Sequence, residues 1–129
     1  MMLMAVVLLA IIPSALPAAG PAAAPKGNEP VYPEAMGGDF PVTFVELGSV
    51  GCIPCDRMKP VMKAIEEEYA GKVRVVFYDV RKDYRPAERY KINLIPTQVF
   101  VDKEGKEFFR HQGFYSKEEI VALLKTRGL

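Results

Sequence analysis

No aspartate, glutamate, lysine or arginine precedes Lys26: all 17 basic and 16 acidic residues lie in residues 26–129. A folded domain needs a solvated polar surface as well as an apolar interior, so residues 1–25 cannot form an ordinary face of one. Folding is thereby confined to roughly 100 residues, enough for one small domain and too few for two. The formal net charge of +1 offers no basic footprint for nucleic acid or for an anionic membrane surface. Two cysteines cannot build a disulfide-rich scaffold. With the single histidine they cannot fill a four-ligand zinc site unless a carboxylate or a second chain joins them.

Leu3 to Ile12 is an unbroken apolar run, well short of the about 20 residues a membrane-spanning helix needs. Pro13 and Pro17 break the chain just after it, and small residues continue to Pro25. This is the shape of a secretory signal, with Leu16-Pro17-Ala18 before Ala19 as a cleavage point. It lacks a basic n-region. Either the terminal amine substitutes, or the true start lies upstream, or the segment stays as a short anchor. Residues 1–25 are accordingly expected to direct export, into a compartment where disulfides persist. Residues 26–40, punctuated by Gly27, Pro30, Pro33, Gly37 and Gly38, read as a tether, and residues 41–129 as the domain.

Within the domain, Val42 to Leu47 is β-branched and aromatic between Pro41 and Gly48, which predicts a strand. From Cys55 the pattern becomes helical, with Met58, Val61, Met62, Ile65 and Tyr69 on one face and Gly71 closing the segment. Glu66-Glu67-Glu68 reads as its solvated side. Val73 to Val80 is apolar nearly throughout and is expected to be a strand buried on both faces. A short helix is expected over Arg85 to Tyr90. Strands are expected at Gln98 to Val101 and Glu107 to Gln112, joined by a turn at Asp102-Lys103-Glu104-Gly105. Ser116 and Glu119 have the spacing of a capping box, opening a last helix whose Ile120, Leu123 and Leu124 face inward. The order β-α-β-α-β-β-α predicts an α/β domain: a parallel βαβ unit, then an antiparallel hairpin and a covering helix.

Cys52-Ile53-Pro54-Cys55 falls where the first strand's loop turns into the first helix. A sulfur at a helix N-terminus faces unpaired N–H groups and the positive end of the dipole, which stabilises a thiolate. Cys52, the more exposed, is the expected nucleophile, and Cys55, one turn in, the resolving thiol. Pro54 suits a first helical turn, where a missing N–H is harmless. Other uses of the pair compete. Covalent haem attachment needs a histidine after the second cysteine, where Asp56 stands. Two thiolates could hold Cu(I), with marginal help from Met58. A bridge across so short a loop contributes little as a staple.

From Val42 to the C-terminus the chain resembles the thioredoxin family. Cys52 and Cys55 match its active-site cysteines, Pro54 its proline between them, and Pro60 the proline within the active-site helix. Ile95-Pro96-Thr97 matches its cis-proline segment, and Gly105 and Gly113 its terminal-hairpin glycines. The resemblance implies a thioredoxin-like fold, reduced to a mixed central sheet flanked by helices. It also implies a thiol–disulfide oxidoreductase that uses no cofactor or metal beyond its two thiols. Glu46 stands where the family has its buried aspartate; its neighbours Phe44, Val45 and Leu47 suggest a central strand and at least partial burial, and the raised carboxyl pKa that follows is expected to let it exchange a proton with Cys55. A cis Pro96 exposes the backbone of Ile95, so that Ile53, Pro54, Ile95, Pro96 and Thr97 form the substrate-docking surface.

The chain departs from the family at several points. Gly51 and Gly48 replace two near-site tryptophans, and no tryptophan occurs anywhere. Phe77 replaces the lysine that usually accompanies the buried acid. His111 is expected to be an ordinary strand residue. The Ile-Pro dipeptide lacks the histidine of strongly oxidising Cys-Pro-His-Cys relatives, which favours a reductase, with an oxidase or isomerase as the alternative. A Cu(I)-binding or delivery module is the competing reading from another class. The expected partners are protein disulfides and, for an exported reductase, a membrane thiol reductase as electron donor; no nucleic acid is expected, and nothing invokes an oligomer, so a monomer is.

Overall fold

The computed structural model describes residues 31–35 and 38–129; the leader, with its expected cleavage point, lies outside them. Strand β1, Val42–Gly48, is buried along its whole length. Helix α1, Ile53–Glu68, returns the chain to a parallel β2, Val73–Asp79. A short α2, Arg85–Arg89, leads to β3, Thr97–Asp102, and β4, Glu107–Gln112, and α3, Lys117–Thr126, closes the domain. The sheet order is β2-β1-β3-β4, with β3 antiparallel to both its neighbours. This is the mixed sheet and element order expected from the sequence.

Alternation along β1 sorts its side chains onto two cores. Val42 and Phe44 face Met58, Val61 and Ile65 of α1 and Ile120 and Leu124 of α3. Val45 and Leu47 face Ala87 of α2 and its C-cap residue Tyr90. Phe44 and Phe100 are cross-strand partners whose rings stack 4.7 Å apart. The Ser116–Glu119 capping box forms as expected, each side chain bonded to the other residue's backbone N–H. Leu123 is half-buried rather than enclosed, packing on the edge of the first core.

One expectation is corrected. Strand β2 is not buried on both faces: only Val73 is fully enclosed, and Phe77 is 40% exposed. The β3–β4 hairpin occupies the other edge of β1, so β2 is left as an outer strand, and β1 and β3 are the enclosed inner strands.

The segment read as a tether also contributes to the packed domain. Val31 bridges Lys106, and Tyr32 N–H donates to the Gly105 carbonyl at 2.8 Å. Tyr32 and Ala35 are buried, Tyr32 stacking on Tyr90 at 4.2 Å. The Tyr32 hydroxyl donates to Glu107 Oε2 at 2.9 Å, and Arg110 holds both Glu107 oxygens. Burial, reinforced by the Glu107 carboxylate, pushes that hydroxyl up to about 12, so it keeps its proton and remains a donor. Tyr32→Ala removes both the stack and the hydrogen bond. It is expected to lower unfolding free energy by about 3 kcal/mol, and Tyr32→Phe by about 1 kcal/mol, as measured by urea denaturation.

Candidate active site

β1 ends at Gly48, and the loop after it is tied down from β2. The Asp79 carboxylate accepts the Val50 N–H, and Val80 N–H donates to the Gly48 carbonyl at 2.9 Å. Gly51 takes a left-handed φ of 80°, and Cys52 becomes the N-cap of α1. The helix starts at Ile53, two residues before the apolar periodicity begins, because the 78% exposed Ile53 adds nothing to that pattern. Pro54 lies in the first turn, and Asp56 N–H bonds the Cys52 carbonyl at 2.8 Å.

Cys52 and Cys55 form a disulfide, their Cα atoms 5.2 Å apart. Their environments differ: Cys52 is half-exposed, whereas Cys55 is buried against β1. A Cβ placed on Gly48 would lie 3.3 Å from Cys55 Cβ and 3.4 Å from its Sγ, so the end of β1 packs directly on the buried cysteine. No side-chain cap hydrogen bond is made at Cys52, so its sulfur belongs to the residue at the positive, N-terminal end of α1. Asp56, the residue after Cys55, is paired with Lys59 at 2.7 Å. Its carboxyl is held below the ordinary carboxylate range by Lys59, with help from the Gly51 N–H.

Glu46 lies two residues before Gly48, on the same face of β1 that meets α1 and Cys55. It is fully buried. Its cross-strand neighbours are Phe77 on β2 and Gln98 on β3. Gln98 Nε2 donates to Glu46 Oε1 at 3.4 Å, while Glu46 Oε2 has no hydrogen-bond partner among the described residues. Burial, opposed only by that amide, raises the carboxyl from 4.5 to about 8. In sequence Gln98 is one residue of an expected strand; a polar side chain followed directly by Val99, Phe100 and Val101 is the available signal of its buried role.

The Ile95–Pro96 peptide bond is cis. Thr97 pairs with Leu47, which places this segment at the dithiol end of the sheet. The Pro96 carbonyl accepts from Gly113 N–H at 2.8 Å, and Thr97 Oγ1 donates to the Leu94 carbonyl at 2.7 Å. Beside it a cavity of about 220 Å³ opens between Val80, Tyr84, Ile92, Leu94 and Ile95. Val50, Ile53, Tyr84 and Leu94 are exposed apolar side chains from the segments around the dithiol and this cavity.

Two residues take no part in the dithiol's chemistry as placed. Met58, offered as a help to Cu(I), is fully buried, and its sulfur accepts the Tyr115 N–H at 3.3 Å. His111 lies on β4, stacked on Tyr115 at 4.3 Å with Nε2 3.1 Å from the Phe114 carbonyl. Among the described residues no cluster of three or more His, Cys, Asp or Glu side chains could hold a metal ion.

A family model described as a thioredoxin-like domain matches residues 34–128. The thioredoxin of Chlamydia trachomatis serovar D is 34% identical over 83 residues, spanning 64% of this chain and 79% of that protein. The thioredoxin of Staphylococcus aureus strain Mu50 is 30% identical over 83 residues, with the same coverage. Among solved structures, a malaria-parasite thioredoxin-2, described as a component of that parasite's protein secretion machinery, superposes with a TM-score of 0.63. At 19% identity over 67% of this chain and 82% of that one, it shows the shared fold.

The burial of Glu46 has a measurable consequence in the oxidised protein, where the cysteines do not titrate. Between 4.5 and about 8 the folded state keeps a proton that the unfolded state releases. The stability that proton supplies is complete below 4.5 and is lost as pH rises to about 8, with a slope of at most about 1.4 kcal/mol per pH unit. Urea denaturation of the wild type and Glu46→Gln should therefore diverge across that window, the variant becoming relatively more stable at high pH. Parallel stability–pH curves would show that Glu46 titrates normally.

Proposed function

The chain belongs to the thioredoxin-like family and is a protein-disulfide oxidoreductase; from that premise we propose that it works outside the cytoplasm as a reductase of protein disulfides. The observation that carries the reading is the asymmetry of the pair: a half-exposed Cys52 at an uncapped helix N-terminus, bonded to a buried Cys55.

In the reduced enzyme the Cys52 thiolate attacks one sulfur of the substrate disulfide. The other sulfur leaves as a thiolate, and a mixed disulfide remains. Cys55 gives its proton to the Glu46 carboxylate and attacks Cys52 Sγ, closing the Cys52–Cys55 bond and expelling the second substrate thiolate. Two electrons pass from the enzyme dithiol to the substrate, whose thiolates take up protons. The oxidised pair is then re-reduced by an external dithiol donor, for an exported protein a membrane thiol reductase. The apolar side chains Val50, Ile53, Tyr84 and Leu94 favour a protein substrate that presents apolar residues beside its cysteine. Ile95, next to the cis bond, offers backbone groups with which an extended substrate segment can pair, flanked by Pro96 and Thr97. The uncharged apolar run Leu3 to Ile12 supports the extracytoplasmic placement.

Cys55→Ser should accumulate mixed disulfides through Cys52, visible on non-reducing gels, and Cys52→Ser should lose insulin-disulfide reduction entirely. Trapping through Cys55 instead would reverse the two roles. A reduction potential near that of reducing thioredoxins, about −270 mV, is expected; one near −120 mV would make the protein an oxidant.

A further inference from the structure

Strand register places Phe77, Glu46, Gln98 and His111 in one row across the sheet, from β2 through β1 and β3 to β4. All four side chains project to the face covered by α1. The groups facing Glu46 can be followed element by element. From α1 comes Cys55, packed against Gly48. From β2 comes Phe77, which is uncharged, with Asp79 further along and engaged by the Val50 and Arg81 N–H groups. From β3 comes Gln98, and beyond it on β4 lies His111, occupied with Phe114 and Tyr115. From α3 the buried side chains are Ile120 and Leu124. Among the described residues the hydrogen bond that Glu46 receives comes from Gln98, itself fully buried.

We propose that Gln98 is a positioning residue for the proton transfer: its amide, in place of a cation, enlarges the ionised fraction of Glu46, the form able to receive the Cys55 proton. A buried carboxylate with no donor stays protonated, and a protonated acid cannot act as a base. The Gln98 N–H supports the charged form at Oε1 and leaves Oε2, without a partner among the described residues, as the acceptor for the incoming proton. Donation to a charged oxygen is roughly twice as strong as donation to a neutral one, so this bond favours ionisation. Phe77 cannot supply this support from the other side. The inference rests on the proton-accepting role proposed for Glu46.

Reaction of the reduced protein with 5,5′-dithiobis(2-nitrobenzoate) separates the two steps. Cys52 attacks the aryl disulfide and releases one thionitrobenzoate; Cys55 then attacks Cys52 Sγ, closes the protein disulfide and releases the second. Stopped-flow absorbance resolves both releases over pH 5–10. In Gln98→Met the second release is expected to slow about tenfold at pH 7, its midpoint moving up by about one pH unit, while the first keeps its rate. In a Glu46→Gln background Gln98→Met should add nothing further. Gln98→Asn, which retracts the amide by a methylene, carries the same expectation if the methionine variant does not fold. An unshifted second release, or equal slowing in both backgrounds, would overturn the role of Gln98. If Glu46→Gln alone leaves the second release unchanged, the role of Glu46 falls and this inference with it, so the two failures are distinguishable.

Discussion

A carboxyl group held in the middle of a strand enclosed on both faces sets the terms for this domain. Glu46 could be solvated only at the expense of the sheet, since β1 has a strand on each side and helices above and below. The rest of the site is arranged at the point where that strand emerges. Gly48 lets Cys55 approach β1 closely, Asp79 fixes the loop, and the N-terminus of α1 receives Cys52. Acid, buried thiol and exposed thiol thus succeed one another from inside to outside, all drawn from residues 46–55. A proton exchanged between the first two need not involve bulk water, whereas the third meets it.

The framework of this arrangement was legible in the residues because it is local. The dithiol occupies a junction between two periodicities, the capping box is a four-residue pattern, and the hairpin turn carries its own glycine, at φ 77°. The features that were not legible depend on pairing between distant segments. An apolar run such as Val73 to Val80 suits a strand anywhere in a sheet, and only the docking of the β3–β4 hairpin on β1 makes it an outer one. Tyr32 lies among prolines and glycines, so its surroundings read as linker, yet its partners Tyr90 and Glu107 are far along the chain. Gln98 was hidden for the same reason. Its importance arises from a register that matches it with a residue 52 positions earlier. The burial of Glu46 was legible in its apolar neighbours Phe44, Val45 and Leu47, whereas the cis bond at Pro96 was anticipated through the family resemblance alone.

The family's tryptophans are replaced here by glycines, so the apolar character of the rim comes from other positions. Ile53 lies between the cysteines themselves, and Tyr84 and Leu94 flank the cavity next to Ile95. Aliphatic side chains and one tyrosine present a smaller, less rigid contact area than an indole. Selectivity would then depend more on the backbone held at the cis bond and on the shape of the cavity than on one large anchor.

The bridge between Val31 and Lys106 has a consequence for orientation. Lys106 follows the β3–β4 turn, at the level of Val42, whereas the dithiol follows Gly48 at the other end of the same strand. The chain therefore enters the domain at the pole opposite its reactive sulfur. A pull on the N-terminal side would be borne by the hairpin and the Tyr32 clasp rather than by the catalytic loop.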